Sequence, residues 1–186
     1  MKLLAISGSA RRLSTNTALL VALQGVAPGH ITLDVFDGIG DLPVFSADLE
    51  GPARPASVDD FMQRIAESDG LLICSPEYIR GIPGGLKNAI DWLVSGEQIV
   101  GKPIALVHAS HRGDDMLAAL RLVLSTVSVN FNETLFFRLP VMQQTPEAIR
   151  ARVQAPDQRP VAEQFLEAFS SFCRIGGHDG PAAIKL

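Results

Sequence analysis

The chain has 186 residues, a formal net charge of −4, and 47% apolar against 19% charged residues. This is an ordinary globular composition, of a length that suits one domain with a substantial core. The mild negative charge, single Trp and single Tyr argue against a nucleic-acid surface or an anionic-lipid binder, and no apolar run approaches membrane-spanning length.

Cys74 and Cys173 lie far apart and form no C-x-x-C pair, which points to a reducing compartment and a cytoplasmic protein. The N-terminus offers only Lys2 and a four-residue apolar run before Ser7, too short for a secretory signal.

In chain order, Leu3 to Ile6 reads as a buried strand, followed by a polar loop and a helix from about Thr15 to Gln24 that Gly25 ends. Ile31 to Phe36 reads as a half-exposed edge strand. The stretch from Asp37 to Ala56 carries Leu42, Val44 and Phe45 and is long for a connection, the mark of a functional or partner-contacting loop. A second helix starts near Ser57. The run Leu71-Leu72-Ile73-Cys74 is apolar throughout and reads as a central strand buried on both faces. Leu86, Ala89, Ile90 and Leu93 recur at helical spacing, with Gly96 as the stop. Trp92 lies off that face, which favours a subunit interface for it, and the apolar face of this helix together with the long Asp37–Ala56 loop suggests an oligomer. Lys87 and Asp91 form an i, i+4 pair.

Ile104 to His108 is the fourth strand, a helix starts near Asp114, and a fifth strand falls within Asn130 to Phe137. Pro140 to Pro146 is a loop, Pro146 opens a short helix, and the last helix spans about Val161 to Arg174. The tail, 176–186, is expected to be mobile or to lie on a partner subunit. Alternating strands and helices of this kind imply an α/β fold with three layers. The pattern fits a flavodoxin-like doubly wound, five-stranded parallel sheet in the order 2-1-3-4-5, as one domain over 1–186. Ligands in such sheets bind at the carboxyl ends of the strands, where Ser7–Asn16, Ser75–Pro83 and Ala109–Asp114 converge.

The first loop presents hydroxyls at Ser7, Ser9, Ser14, Thr15 and Thr17 and guanidinium groups at Arg11 and Arg12, just ahead of a helix start. Unpaired N–H groups and the helix dipole make such a start receptive to phosphate. Ser14 also has the ordinary role of an N-cap. The chain lacks G-x-G-x-x-G and G-x-x-x-x-G-K-[ST], so neither a pyrophosphate fingerprint nor a triphosphatase loop is encoded. A single-Gly, hydroxyl-rich loop suits a terminal monophosphate.

Gly8 to Asn16 spells G-S-x-R-x-x-S-x-N, and Pro76 to Trp92 spells P-E-Y…P-G-x-L-K-N-A-I-D-W. With both motifs in order, the chain resembles the flavodoxin-like NAD(P)H-dependent FMN reductase family (quinone, chromate and azo-dye reductases) to roughly Asn130. The resemblance implies FMN as cofactor and NADPH or NADH as co-substrate. It also implies ping-pong hydride transfer onward to a quinone, flavin, azo compound or oxidised metal species, in a homodimer or homotetramer with the site near a subunit boundary. By position, Ser9, Arg11, Ser14, Asn16 and Thr17 would hold the FMN phosphate. Pro76, Glu77, Tyr78 and Ile79 would line the flavin ring, largely through backbone groups, and Ser110 to Gly113 would cover its other edge. The redox step belongs to the cofactor, so no side chain is assigned as catalytic.

Two features depart from the family. Ile79 stands where Asn is frequent, and 109–115 is shorter and more charged than the usual Gly-rich loop. Arg80 or Arg112 could meet the 2′-phosphate of NADPH, or be a solvent-facing charge. His108 and His111 have no clustered third ligand, so no metal is expected. Two rival readings remain. Cys74 to Arg80 spells the phosphatase pattern C-x5-R, although Glu77 and Pro76 are ill suited to a phosphate nest. A non-enzymatic flavodoxin-type electron carrier is the other, and such proteins are usually more acidic than −4.

Overall fold

A computed structural model describes residues 1–176. Its sheet is parallel throughout, in the order β2-β1-β3-β4-β5. The strands are β1 (Lys2–Ser7), β2 (Thr32–Phe36), β3 (Gly70–Cys74), β4 (Ile104–His108) and β5 (Phe131–Arg138). The helices are α1 (Thr15–Gln24), α2 (Ala56–Ala66), α3 (Gly84–Asp91), α4 (Asp114–Val127), α5 (Pro146–Gln154) and α6 (Arg159–Gly176). The expected flavodoxin-like architecture is therefore present. The expectation for the tail falls on residues beyond Gly176, outside those described.

Strand side chains alternate between faces, and the core divides accordingly. Leu3, Ala5, Leu72, Cys74 and Val107 face α1, α5 and α6, where Leu19, Leu23, Ile149 and Leu166 meet them. Leu4, Ile6, Leu71, Ile73 and Leu106 face α2, α3 and α4, where Phe61, Ile65, Leu86 and Leu120 meet them. Every residue of β3 and β4 is buried, as a strand covered on both faces requires. Gly8 lets the loops after β1 and β3 touch. A Cβ there would lie 2.7 Å from Ser75 Oγ and 2.9 Å from Leu86 Cδ2.

Two expectations are corrected. First, α3 ends at Asp91, not at Gly96. The chain then turns Trp92 inward to 1% exposure, its ring edge-on to Phe45 with centroids 5.1 Å apart. Trp92 is a core residue and cannot serve a subunit interface. Second, the apolar face of α3 is spent inside the chain, since Leu86, Ala89, Ile90 and Leu93 are all buried. The long connection is not free either. Asn88 accepts the Phe45 N–H at 2.8 Å and donates to the Pro43 carbonyl at 3.0 Å, holding that loop against α3.

Candidate cofactor cleft

The loops after β1, β3, β4 and β5 enclose a cleft of about 740 Å³ at the carboxyl ends of the strands. That volume lies within the range of roughly 300–1,000 Å³ usual for small-molecule and cofactor sites. Ser9, Arg11, Ser14, Asn16, Pro76, Glu77, Tyr78, Ser110 and Gly113 all line it. A comparable concavity lies at the opposite end of the sheet, beside Asp69, Lys102 and Cys173. There the Lys102 amine is occupied by the Ala66 and Ser68 carbonyls at the end of α2.

One end of the cleft is the start of α1. Ser14 has extended backbone (φ −88°, ψ 129°), and its Oγ accepts the N–H groups of Asn16 at 3.2 Å and Thr17 at 3.4 Å. Ser9 Oγ accepts the Arg11 N–H at 3.3 Å. No acidic residue occupies the first turn of α1, and Arg11 makes no ion pair among the described residues. A helix start, a guanidinium without an ion pair and the Asn16 side-chain amide suit an anion.

Glu77 is the acidic residue of the lining, and its charge is already used. Its Oε2 accepts the Met116 N–H at 3.1 Å, in the first turn of α4, where a carboxylate is favoured by the helix dipole. Arg80 pairs with Asp115 at 2.6 Å, so two contacts tie the β3 loop to α4. The charged loop after β4 is also pinned. Arg138 donates to the carbonyls of Ser110 at 2.7 Å and Arg112 at 3.1 Å and pairs with Asp114 at 3.0 Å. Beneath it lies His108, buried, with Nε2 2.5 Å from the Arg112 carbonyl. Burial pushes the His108 imidazolium below its ordinary value, and the Arg112 carbonyl opposes this only in part. The Arg112 carbonyl can only accept, so the contact calls for a hydrogen on Nε2. Gly113 must be glycine on two counts: φ is +101°, and a Cβ would sit 2.9 Å from His108 Nε2.

Two expected residues stand apart from the lining. Thr17 Oγ1 is bonded to Ser7 Oγ at 2.8 Å. The Ile79 side chain is fully exposed. It sits in a tight hairpin closed by Tyr78 N–H to Gly81 O at 3.2 Å and Gly81 N–H to Tyr78 O at 3.0 Å. Ile79 and Arg80 both have positive φ, +49° and +56°, the pattern of a type I′ turn. The sequence did not assign the wall from Met142 to Pro146, or Leu13 and His108, whereas Arg112, within the expected 110–113 segment, does line the cleft. The signal for the wall was present, because that loop follows β5 at the same sheet edge. Ser110 Oγ donates to Met142 Sδ and joins the two loops.

The phosphatase reading is overturned. Cys74 is wholly buried, and its thiol donates to Asn16 Oδ1 at 3.2 Å. Burial pushes that thiol far up, which suppresses the nucleophilic thiolate. Arg80 lies in solvent beside Asp115.

A parallel 2-1-3-4-5 sheet with an anion-receptive helix start in its carboxyl-end cleft defines a flavodoxin-like protein. The family model for NADPH-dependent FMN reductase matches residues 1–137, and the chain belongs to that family. FMN and NAD(P)H are the cofactors of that family. The quinone reductase of Pseudomonas putida is 31% identical over 182 residues, covering 91% of this chain and 93% of the other. The quinone reductase of Escherichia coli (strain K12) is 34% identical over 116 residues, which span 61% of each chain. Among solved structures, FerB, a flavoenzyme NAD(P)H:(acceptor) oxidoreductase from Paracoccus denitrificans, superposes with a TM-score of 0.71. It is 28% identical, covering 94% of this chain and 98% of the other. No helix among the described residues is long and apolar enough to cross a membrane.

Proposed function

We propose that the cleft binds FMN with its phosphate at the start of α1, and that the protein is an NAD(P)H-dependent FMN and quinone reductase. The observation that carries this reading is the Ser14-capped start of α1, facing the cleft with Arg11 and Asn16. Ser9, Arg11, Ser14 and Asn16 would hold the phosphate, whereas Thr17, expected beside them, has its hydroxyl committed to Ser7 and its N–H to the Ser14 Oγ. Pro76, Glu77 and Tyr78 would present backbone groups to the ring. Ile79 can take part only through its main chain, because its side chain is turned outward. Ser110 and Gly113 would border the opposite edge.

When bound, FMN would supply the redox chemistry, the capacity to accept hydride from NAD(P)H and to yield electrons to an acceptor. The chain's own task is to hold and orient. Glu77, Arg80 and Arg138 lock the two loops on either side of the cleft into one frame, which favours a pre-organised site. A single open cleft serves donor and acceptor in turn, in a ping-pong sequence. Quinones are the first acceptors to assay, because relatives are named quinone reductase; flavins, azo compounds and oxidised metal species follow.

The same reading makes the chain a single flavin-binding domain, cytoplasmic in keeping with its free cysteines. Exposed Leu13, Tyr78, Ile79 and Met142 support a homodimer or homotetramer. The test is FMN titration of Arg11→Ala. Losing a charge-assisted contact of roughly 1.5–3 kcal/mol predicts FMN binding about tenfold weaker or more, with the far-UV spectrum unchanged. Unchanged affinity would remove the phosphate from this position.

A further inference from the structure

Asn16 and Cys74 lie 58 residues apart in the chain and meet behind the start of α1. Asn16 is only 7% exposed, yet it lines the cleft. An Asn side chain has one face that accepts and one that donates. A phosphate offers only acceptors at neutral pH, so an amide presenting its oxygen would repel it, whereas one presenting its NH2 would bind it. The orientation of this one group therefore decides its contribution.

The Cys74 thiol donates to Asn16 Oδ1 at 3.2 Å. That contact occupies the accepting face, and no group among the described residues accepts from Asn16 Nδ2. We propose that Cys74 is a positioning residue for the anion site: its S–H holds Asn16 so that Nδ2 donates into the cleft. This rests on the flavin reading, with phosphate as the anion. The thiol suits the place because Cys74 belongs to the apolar core between β3 and α1, where a small, weakly polar donor is cheaper to bury than a hydroxyl. Burial also keeps it protonated, so the orientation persists throughout the neutral range.

The experiment compares FMN with riboflavin, which lacks the phosphate, by fluorescence titration of the wild type, Cys74→Ala, Cys74→Ser, Asn16→Ala and the double variant. The wild type is expected to prefer FMN. Cys74→Ala is expected to weaken FMN binding about five- to tenfold, leave riboflavin unchanged, and add nothing in the Asn16→Ala background. Cys74→Ser, which keeps a donor, should recover most of the loss. Equal losses for both ligands, or none for either, would overturn the positioning role while the flavin reading stands. A wild type that binds neither flavin would overturn both. Independently of any variant's folding, the Asn16 side-chain NH2 resonances of the wild type should shift with FMN and not with riboflavin. A shift with neither, in a protein that binds FMN, contradicts the proposal.

Discussion

The indole Nε1–H of Trp92 donates to the Pro43 carbonyl at 2.8 Å. This joins the end of α3 to the long connection after β2, and Asn88 adds a second donor to the same carbonyl at 3.0 Å. The K-N-A-I-D-W run thus braces a loop. Because Gly40 of that loop packs against Ala10, the brace extends to the proposed phosphate end of the cleft. Trp92→Phe removes one hydrogen bond and part of a buried ring, and should cost about 1–2 kcal/mol in urea unfolding, with the elution volume unchanged. Unaltered stability with altered assembly would return Trp92 to a subunit contact.

Ile79 is a β-branched residue held at φ +49° with its side chain in solvent. Left-handed backbone costs an ordinary L-residue about 1–2 kcal/mol, and Asn tolerates it better. Ile79→Asn should therefore raise stability by about 0.5–1 kcal/mol. A measured loss would mean that the exposed side chain is buried in an assembly of several chains.

His108 makes stability depend on pH. Its folded value is lowered chiefly by burial, with nearby Arg138 also lowering it and Arg112 O and Asp114 opposing. Below the ordinary value near 6.5, the unfolded chain takes up a proton that the folded chain refuses. This contribution to stability is thus complete above about pH 6.5 and lost as pH falls towards the lower folded value. His108→Gln should flatten the thermal stability profile over that window. An unchanged slope would locate the titration elsewhere.

The sheet was legible because its signals are local. Leu71 to Cys74 is apolar throughout, Ser14 marks the start of α1, and Gly25 marks its end. The loops after β1, β3 and β4 followed from the rule for carboxyl ends, and nine of the expected residues line the cleft as a result. Tertiary geometry decided what was missed. Periodicity extended α3 through Leu93, but the helix stops at Asp91, and the turn that follows carries Trp92 inward. Two consecutive positive φ values turned Ile79 outward, against the local preference of its residue type. The pairing of Cys74 with Asn16 depends on β1 and β3 being neighbours, which no local pattern states. Arg138 clamps the 110–114 loop from the far end of β5, again across the sheet.

The most direct test of the central claim is the visible spectrum of the protein after FMN loading and desalting, followed under anaerobic conditions as NADPH and then NADH are added. The account predicts retained yellow flavin that bleaches rapidly with at least one nicotinamide and recovers its colour when a quinone is supplied. Retained flavin that neither nicotinamide reduces would contradict the reductase assignment and leave an electron carrier. A protein that retains no flavin, and shows no reductase activity with FMN added, would contradict the cofactor site itself.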